Sequence, residues 1–276
     1  MQTPDNKFAF RRTWGPDINY PNVIRYNPPS NDFTVISGPC SVENKDQINS
    51  IAKLVKSEGA THLRGGVFRA GTYPGKSFGY VEQFLIESFK MASVKNGLQN
   101  IIEVLDYTYE SIRLIASYAD CFQVGCRSMQ NYKLLRTLGS FDKPVFLKRH
   151  PGTTLDEFLG SAEHLLAGGV TELYLIERGS SSHVNHVRWD LSISMIPAIQ
   201  AITKIPILVD ASHGTGRRDL VAPMTLAGVA AGADGILVEV HSDPEKSLSD
   251  ADQSITPGAF KDLMINVEKI RQIVKG

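Results

Sequence analysis

The strongest constraint on this chain is an alternation. Short apolar runs rich in β-branched residues trade places eight times with longer stretches whose apolar residues recur at helical spacing. The runs read as strands at 33–38, 61–66, 100–105, 120–125, 143–149, 171–177, 205–210 and 234–240. Helical patterns lie between them at about 45–58, 79–96, 108–118, 128–139, 153–168, 190–202, 217–232 and 257–275. Strand-then-helix repetition is the mark of parallel β/α units. Eight units in a chain of 276 residues predict a (β/α)8 TIM barrel over residues 32–276 rather than an open sheet. Residues 1–31 are polar and interrupted by prolines, among them Pro4, Pro16 and Pro21. That stretch is too short for a domain and predicts an N-terminal arm or hairpin packed on the barrel.

Charge and cysteine usage exclude several classes of function. Lys plus Arg and Asp plus Glu are balanced at 29 each, so no general grip on nucleic acid is expected. No apolar run approaches the length of a membrane span, and the polar start MQTPDNKFAFRR is no signal peptide. Three cysteines, Cys40, Cys121 and Cys126, make no disulfide framework and predict a cytoplasmic protein.

A barrel of this kind delivers every strand's C-terminal end to one face. Cys40 follows the first run, His213 the seventh, Glu239 sits near the end of the eighth, and Asp250 lies in the loop beyond. A thiol, an imidazole and two carboxylates are ligands for a borderline divalent metal, and Mn, Fe, Zn or Co would all tolerate the set. Any one of them alone reads more simply as a buried small residue or an ion-pair partner. Gathered on one face they predict a metal site. First and last strands of a closed barrel are neighbours, which is what brings Cys40 beside Glu239.

Basic residues recur at the same strand ends: Arg64 in HLRGG, Arg127 in VGCRSMQN, Lys148 and Arg149 in FLKRH, and Arg178 in LIERGS. A single such arginine is usually a structural ion pair. Several facing one mouth predict a small anionic substrate, held through phosphate and carboxylate, with a carbonyl for the metal to polarise.

In order along the chain, GPCSVE, LRGG, GCRSMQN, KPVFLKR, LIERG, ILVDASHGTGRR, GADGILVEVHSDPE and LSDADQS resemble the motifs of 3-deoxy-D-arabino-heptulosonate 7-phosphate (DAHP) synthase. The likeness is to its short β type, related to 3-deoxy-D-manno-octulosonate 8-phosphate (KDO8P) synthase, and spans about residues 33–260. It implies a C–C bond-forming transferase that condenses phosphoenolpyruvate (PEP) with a phosphorylated aldose at a divalent metal, the first step of the shikimate pathway. Cys40, His213, Glu239 and Asp250 fall on the family's metal-ligand positions; Arg64, Arg127, Lys148 and Arg178 fall on positions that hold PEP. Lys148, Glu177 and His213 are the residues expected to take part in the chemistry, the first two in proton handling. The resemblance also implies a homodimer or homotetramer. The short N-terminal stretch leaves no room for the regulatory or chorismate mutase domain of some relatives.

The resemblance breaks in two loops. After the second strand the family carries Lys-Pro-Arg-Thr, whose Arg-Thr pair grips the aldose phosphate, or Lys-Ala-Asn-Arg-Ser in KDO8P synthases. This chain reads Phe68-Arg69-Ala70-Gly71-Thr72-Tyr73-Pro74, with Arg69 in the lysine's place and Gly71 in the arginine's. Arg69 and Thr72 are then the expected aldose contacts. After the sixth strand, Gly179-Ser180-Ser181-Ser182-His183 replaces Gly-Ile-Arg-Thr, leaving Lys76, His183, His186 and Arg188 as candidate substitutes. Erythrose 4-phosphate is the favoured acceptor. The competing readings are a divergent member using another aldehyde, or KDO8P-synthase-like chemistry, and a non-catalytic barrel that binds phosphate.

Overall fold

The computed structural model describes residues 20–69, 78–80 and 83–275. Eight parallel strands close into a barrel: β1 (Thr34–Gly38), β2 (His62–Arg64), β5 (Gln99–Glu103), β6 (Cys121–Val124), β7 (Val145–Lys148), β8 (Leu173–Glu177), β9 (Ile207–Asp210) and β10 (Gly235–Glu239). Each starts and ends inside its expected run or one residue outside it. Closure joins β1 to β10 in parallel, with Gly38 opposite Glu239. The outer layer includes α2 (Lys45–Ser57), α3 (Gln83–Lys95), α4 (Tyr109–Ala116), α5 (Tyr132–Leu138), α6 (Leu155–Ala167), α7 (Met195–Gln200), α9 (Arg218–Ala230) and α10 (Pro257–Lys275). Among the described residues no helix is long and apolar enough to cross a membrane.

Four details depart from the expected element map. Phe68–Arg69 (β3) pairs antiparallel with Phe78–Tyr80 (β4), so helix α3 begins at Gln83 and not near 79. Helix α5 begins at Tyr132 instead of 128, because Asn131 caps it by accepting from Leu134 N. The helix expected over 190–202 shrinks to Met195–Gln200, because Ser180 and Asp190 pair in an antiparallel bridge and the chain turns over 191–194 before the helix begins. A short helix α8 (Ala211–Thr215) starts directly at the end of β9. At the N-terminal side, residues 1–19 lie outside the described residues. The following segment forms helix α1 (Pro21–Arg25), which docks on α6: Val23 N and Asn22 Nδ2 both donate to Glu163, at 3.0 and 2.6 Å.

Strand parity sorts the side chains into two cores. Leu173, Leu175, Val145, Leu147, Ile207 and Val209 face the helices, whereas Tyr174, Ile176, Phe146 and Leu208 fill the barrel. Since successive side chains of a strand point to opposite faces, the next inward positions at the C-terminal ends are Lys148, Arg178, Asp210 and, after Leu237, Glu239. Apolar inward residues thus form the floor on which a polar layer stands. Gly38 shapes the closure: its φ is +149°, and a Cβ there would lie 2.0 Å from the carbonyl oxygen of Arg64. Only glycine allows β1 to approach β2 so closely just before Cys40.

Candidate active site

Cys40, Glu239 and Asp250 each offer one ligand atom, and those atoms lie within 4.8 Å of one another. Two ligands bound at about 2.0–2.3 Å to one ion can be at most about 4.6 Å apart, so this cluster is already near coordinating dimensions. The Cys40 thiol donates to Asp250 Oδ2 at 3.1 Å. Cys40 is held by backbone bonds outside the strand proper, Gly66 N donating to its carbonyl at 2.9 Å. His213 joins from α8, its Nε2 3.3 Å from Glu239 Oε1. The sequence-expected set of four is therefore brought to one place, His213 touching the cluster through Glu239. That carboxylate is completely buried and also receives Arg64 and, at 2.7 Å, Gln253 Nε2.

Asp210 organises the other side of the site. It ends β9, caps α8 by accepting from His213 N at 3.0 Å, and accepts again from the His213 ring at Nδ1. Its second oxygen takes Lys148 Nζ at 3.0 Å. Burial alone would raise the Asp210 carboxyl, yet His213 and Lys148 hold it well below the ordinary carboxylate range. Nδ1 bound to Asp210 leaves Nε2 aimed at the cluster, the arrangement that metal-binding histidines commonly need from a second partner. Nothing in the sequence reading singled out Asp210. Its signal was parity: it is in phase with inward Leu208.

The cations divide. Lys148 and Arg178 face the barrel mouth and are buried, while Arg127, just beyond β6, is exposed. Arg178 lies under the indole of Trp189, 5.6 Å from the ring centroid, and its Nε and Nη1 have no hydrogen-bond partner among the described residues. Gly179 makes that stacking possible, since a Cβ at its φ of +97° would meet Trp189 Cβ at 2.5 Å. Arg149 points the other way. It pairs with Glu177 at 3.1 Å and donates to Thr153 O at 2.6 Å.

Glu177 is corrected by this geometry. Expected to handle protons, it sits instead on the helix-facing side of β8, in phase with Leu173 and Leu175 and wholly buried. Its carboxylate accepts from Gly179 N at 2.8 Å and Ser192 N at 3.3 Å as well as from Arg149. Burial pushes its carboxyl up in spite of Arg149. It ties the loop after β8 in place and does not reach the mouth. Thr72, Lys76 and the side chain of Arg69 lie outside the described residues. His183 and His186 are exposed in the loop after β8, and Arg188 Nη1 is 3.4 Å from Gln253 Oε1.

A model of the DAHP synthetase I family matches residues 28–275. Phospho-2-dehydro-3-deoxyheptonate aldolase of Thermotoga maritima is 42% identical over 238 residues, covering 86% of this chain and 70% of that protein. A 2-dehydro-3-deoxyphosphooctonate aldolase of Desulfotalea psychrophila is 24% identical over 266 residues, 87% of this chain and 90% of its own. Among solved structures, a truncated form of 3-deoxy-D-arabino-heptulosonate 7-phosphate synthase from Thermotoga maritima superposes with a TM-score of 0.80. It is 39% identical and covers 89% of this chain and 88% of its own.

Proposed function

We propose, since this chain belongs to the DAHP synthetase I family, that it condenses PEP with an aldose phosphate, erythrose 4-phosphate first, and takes up one water at C2 of PEP, giving DAHP and inorganic phosphate at the head of the shikimate pathway. The observation that carries the reading is the adjacency of two groups on one barrel face. Thiol and carboxylate donors lie within 4.8 Å of each other, and Glu239 connects through His213 and Asp210 to the inward cation Lys148. The donor set of one sulfur, carboxylate oxygens and an imidazole suits Mn, Fe, Zn or Co, and Cys40, His213, Glu239 and Asp250 are the residues that would hold the ion. When bound, a divalent cation supplies Lewis acidity to the acceptor's carbonyl oxygen.

The protein's own groups do the rest. Arg178, whose Nε and Nη1 have no hydrogen-bond partner among the described residues and whose guanidinium lies by the Trp189 ring, has donors available for an oxyanion. Lys148 and Arg127 complete a cradle for the phosphate and carboxylate of PEP. Arg64 pairs with Glu239 and balances the charge of that buried carboxylate. Holding both anionic reactants in this mouth converts a bimolecular encounter into a positioned one, and attack by the PEP methylene carbon follows from that placement. The Lys148 ammonium, hydrogen-bonded through Nζ to Asp210, is the group placed to give a proton to the departing or developing oxyanion. Arg69 and Thr72 are assigned to the acceptor's phosphate. A homo-oligomer and a cytoplasmic setting complete the proposal; the latter is supported by three cysteines of which none forms a disulfide.

PEP consumption measured against erythrose 4-phosphate, arabinose 5-phosphate and unphosphorylated aldoses tests the acceptor. Turnover with erythrose 4-phosphate alone is expected, and its absence would overturn the assignment. Cys40→Ala and His213→Ala test the site: turnover near that of the unmodified protein after chelator treatment would remove its metal role.

A further inference from the structure

The loop that carries Asp250 is not part of the barrel, and Asp250 itself adopts φ +50°, in the left-handed region that non-glycine residues avoid. A metal ligand on such a loop needs an external restraint. The structure supplies one on the β1 side. Ser41 Oγ and Ser249 Oγ are 2.6 Å apart, and both residues are buried. These are the immediate neighbours of Cys40 and Asp250. Ser41 is itself anchored, bridging in parallel to Gly66, with Val42 N donating to Gly66 O at 3.1 Å. One residue before Ser249, the loop is fastened again: Leu248 N donates to Glu43 Oε1 at 2.8 Å, and His241 Nε2 faces that oxygen at 3.4 Å.

We infer that the Ser41–Ser249 hydroxyl pair, backed by Glu43, is a positioning latch. It sets the separation of Cys40 from Asp250 and, through it, the grip of the site on its cation. The inference rests on the metal role assigned above and extends it to residues that touch neither ion nor substrate. Cys40 and Asp250 come from opposite ends of the chain, 210 positions apart, with their side chains 3.1 Å from each other. No covalent path shorter than the barrel itself holds that distance. The latch holds it through two hydroxyls and one carboxylate, none of which has a place in the substrate cradle.

The test uses the full chain, stripped with chelator and titrated with Co²⁺, whose bond to a thiolate gives a near-ultraviolet charge-transfer absorption. The unmodified protein is expected to show that band. Ser41→Ala and Ser249→Ala should each weaken Co²⁺ affinity about tenfold, measured by chelator competition, and should shift or weaken the band. The double variant should be no worse than either single one, because the two hydroxyls act as one unit. Glu43→Ala should weaken binding several-fold, and Glu43→Gln, which keeps an oxygen for Leu248 N–H, should restore it. Because Glu43 lies at another anchor, these two variants keep the test decisive if a serine variant does not fold. Unchanged affinity and an unchanged band in both serine variants, or in Glu43→Ala, would overturn the latch. Absence of the band in the unmodified protein would instead overturn the thiolate-metal reading on which the latch stands.

Discussion

Replacing Asp210 with asparagine probes the centre of the site with a change of one atom. The aspartate oxygens serve three donors: His213 N, the His213 ring and Lys148 Nζ, at 3.0, 2.8 and 3.0 Å. Asparagine has a single acceptor oxygen. Turned toward His213, it sets its NH₂ against the Lys148 ammonium. Turned toward Lys148, it presents NH₂ to the backbone N–H and drives the ring proton onto Nε2, the atom aimed at Glu239. Both orientations fail, and Lys148 cannot retreat to water, because its side chain is only 5% exposed. Breaking a buried ion pair by removing one charge destabilises by about 3–5 kcal/mol. For a chain of this size that lowers Tm by roughly 10 °C. Loss of the ring's orienting partner should also weaken cation binding about 10–100-fold. Thermal unfolding of the chelated protein measures the first effect, and Mn²⁺ titration by chelator competition the second. An Asp210→Asn protein that unfolds within about 2 °C of its parent and binds Mn²⁺ equally well would refute the arrangement.

Further outcomes follow from other parts of the molecule. Arg178→Met should raise KM for PEP roughly 10–100-fold with a smaller effect on KM for the aldose, since a charge-assisted contact is worth about 1.5–3 kcal/mol; equal changes in both constants would refute a PEP-side role. His62 titrates at about 4 in the folded protein, burial outweighing the pull of Gln99 and Asp120. The unfolded chain therefore binds the extra proton between about pH 6.5 and 4. Stability is full above that window and falls by about 3 kcal/mol as pH drops through it. Urea unfolding across pH 4–7 should show this slope, and His62→Gln should flatten it. Gly38→Ala should cost several kcal/mol or abolish soluble expression, because the added Cβ would meet Arg64 O at 2.0 Å; a normal denaturation midpoint would show that β1 and β2 can move apart freely.

Much of this was legible before any coordinates. The eight strands were readable because barrel strands are buried on both faces and appear as unbroken apolar runs, and the ligands stood out because a thiol or carboxylate ending such a run is conspicuous. What escaped were features decided by direction rather than composition. Glu177 and Arg178 are adjacent, yet one faces the helices and the other the mouth, a distinction carried by phase with Tyr174 and Ile176. The same phase would have drawn attention to Asp210. Short elements escaped for a different reason: α8 spans five residues and β3 two, too few for any periodicity to register. The partners Gln253 and Trp189 became visible only when loops distant in sequence met.

The seam between β1 and β10 has a consequence for the integrity of the site. Glu239 sits opposite Gly38 in that seam, so Cys40 meets the carboxylates of Glu239 and Asp250 only where the first barrel strand joins the last. A barrel with its seven other strand joints made and this one open would hold the thiol apart from the carboxylates. Any motion that parts β1 from β10 therefore takes these side chains from each other, so the candidate site is only as firm as this one joint of the wall.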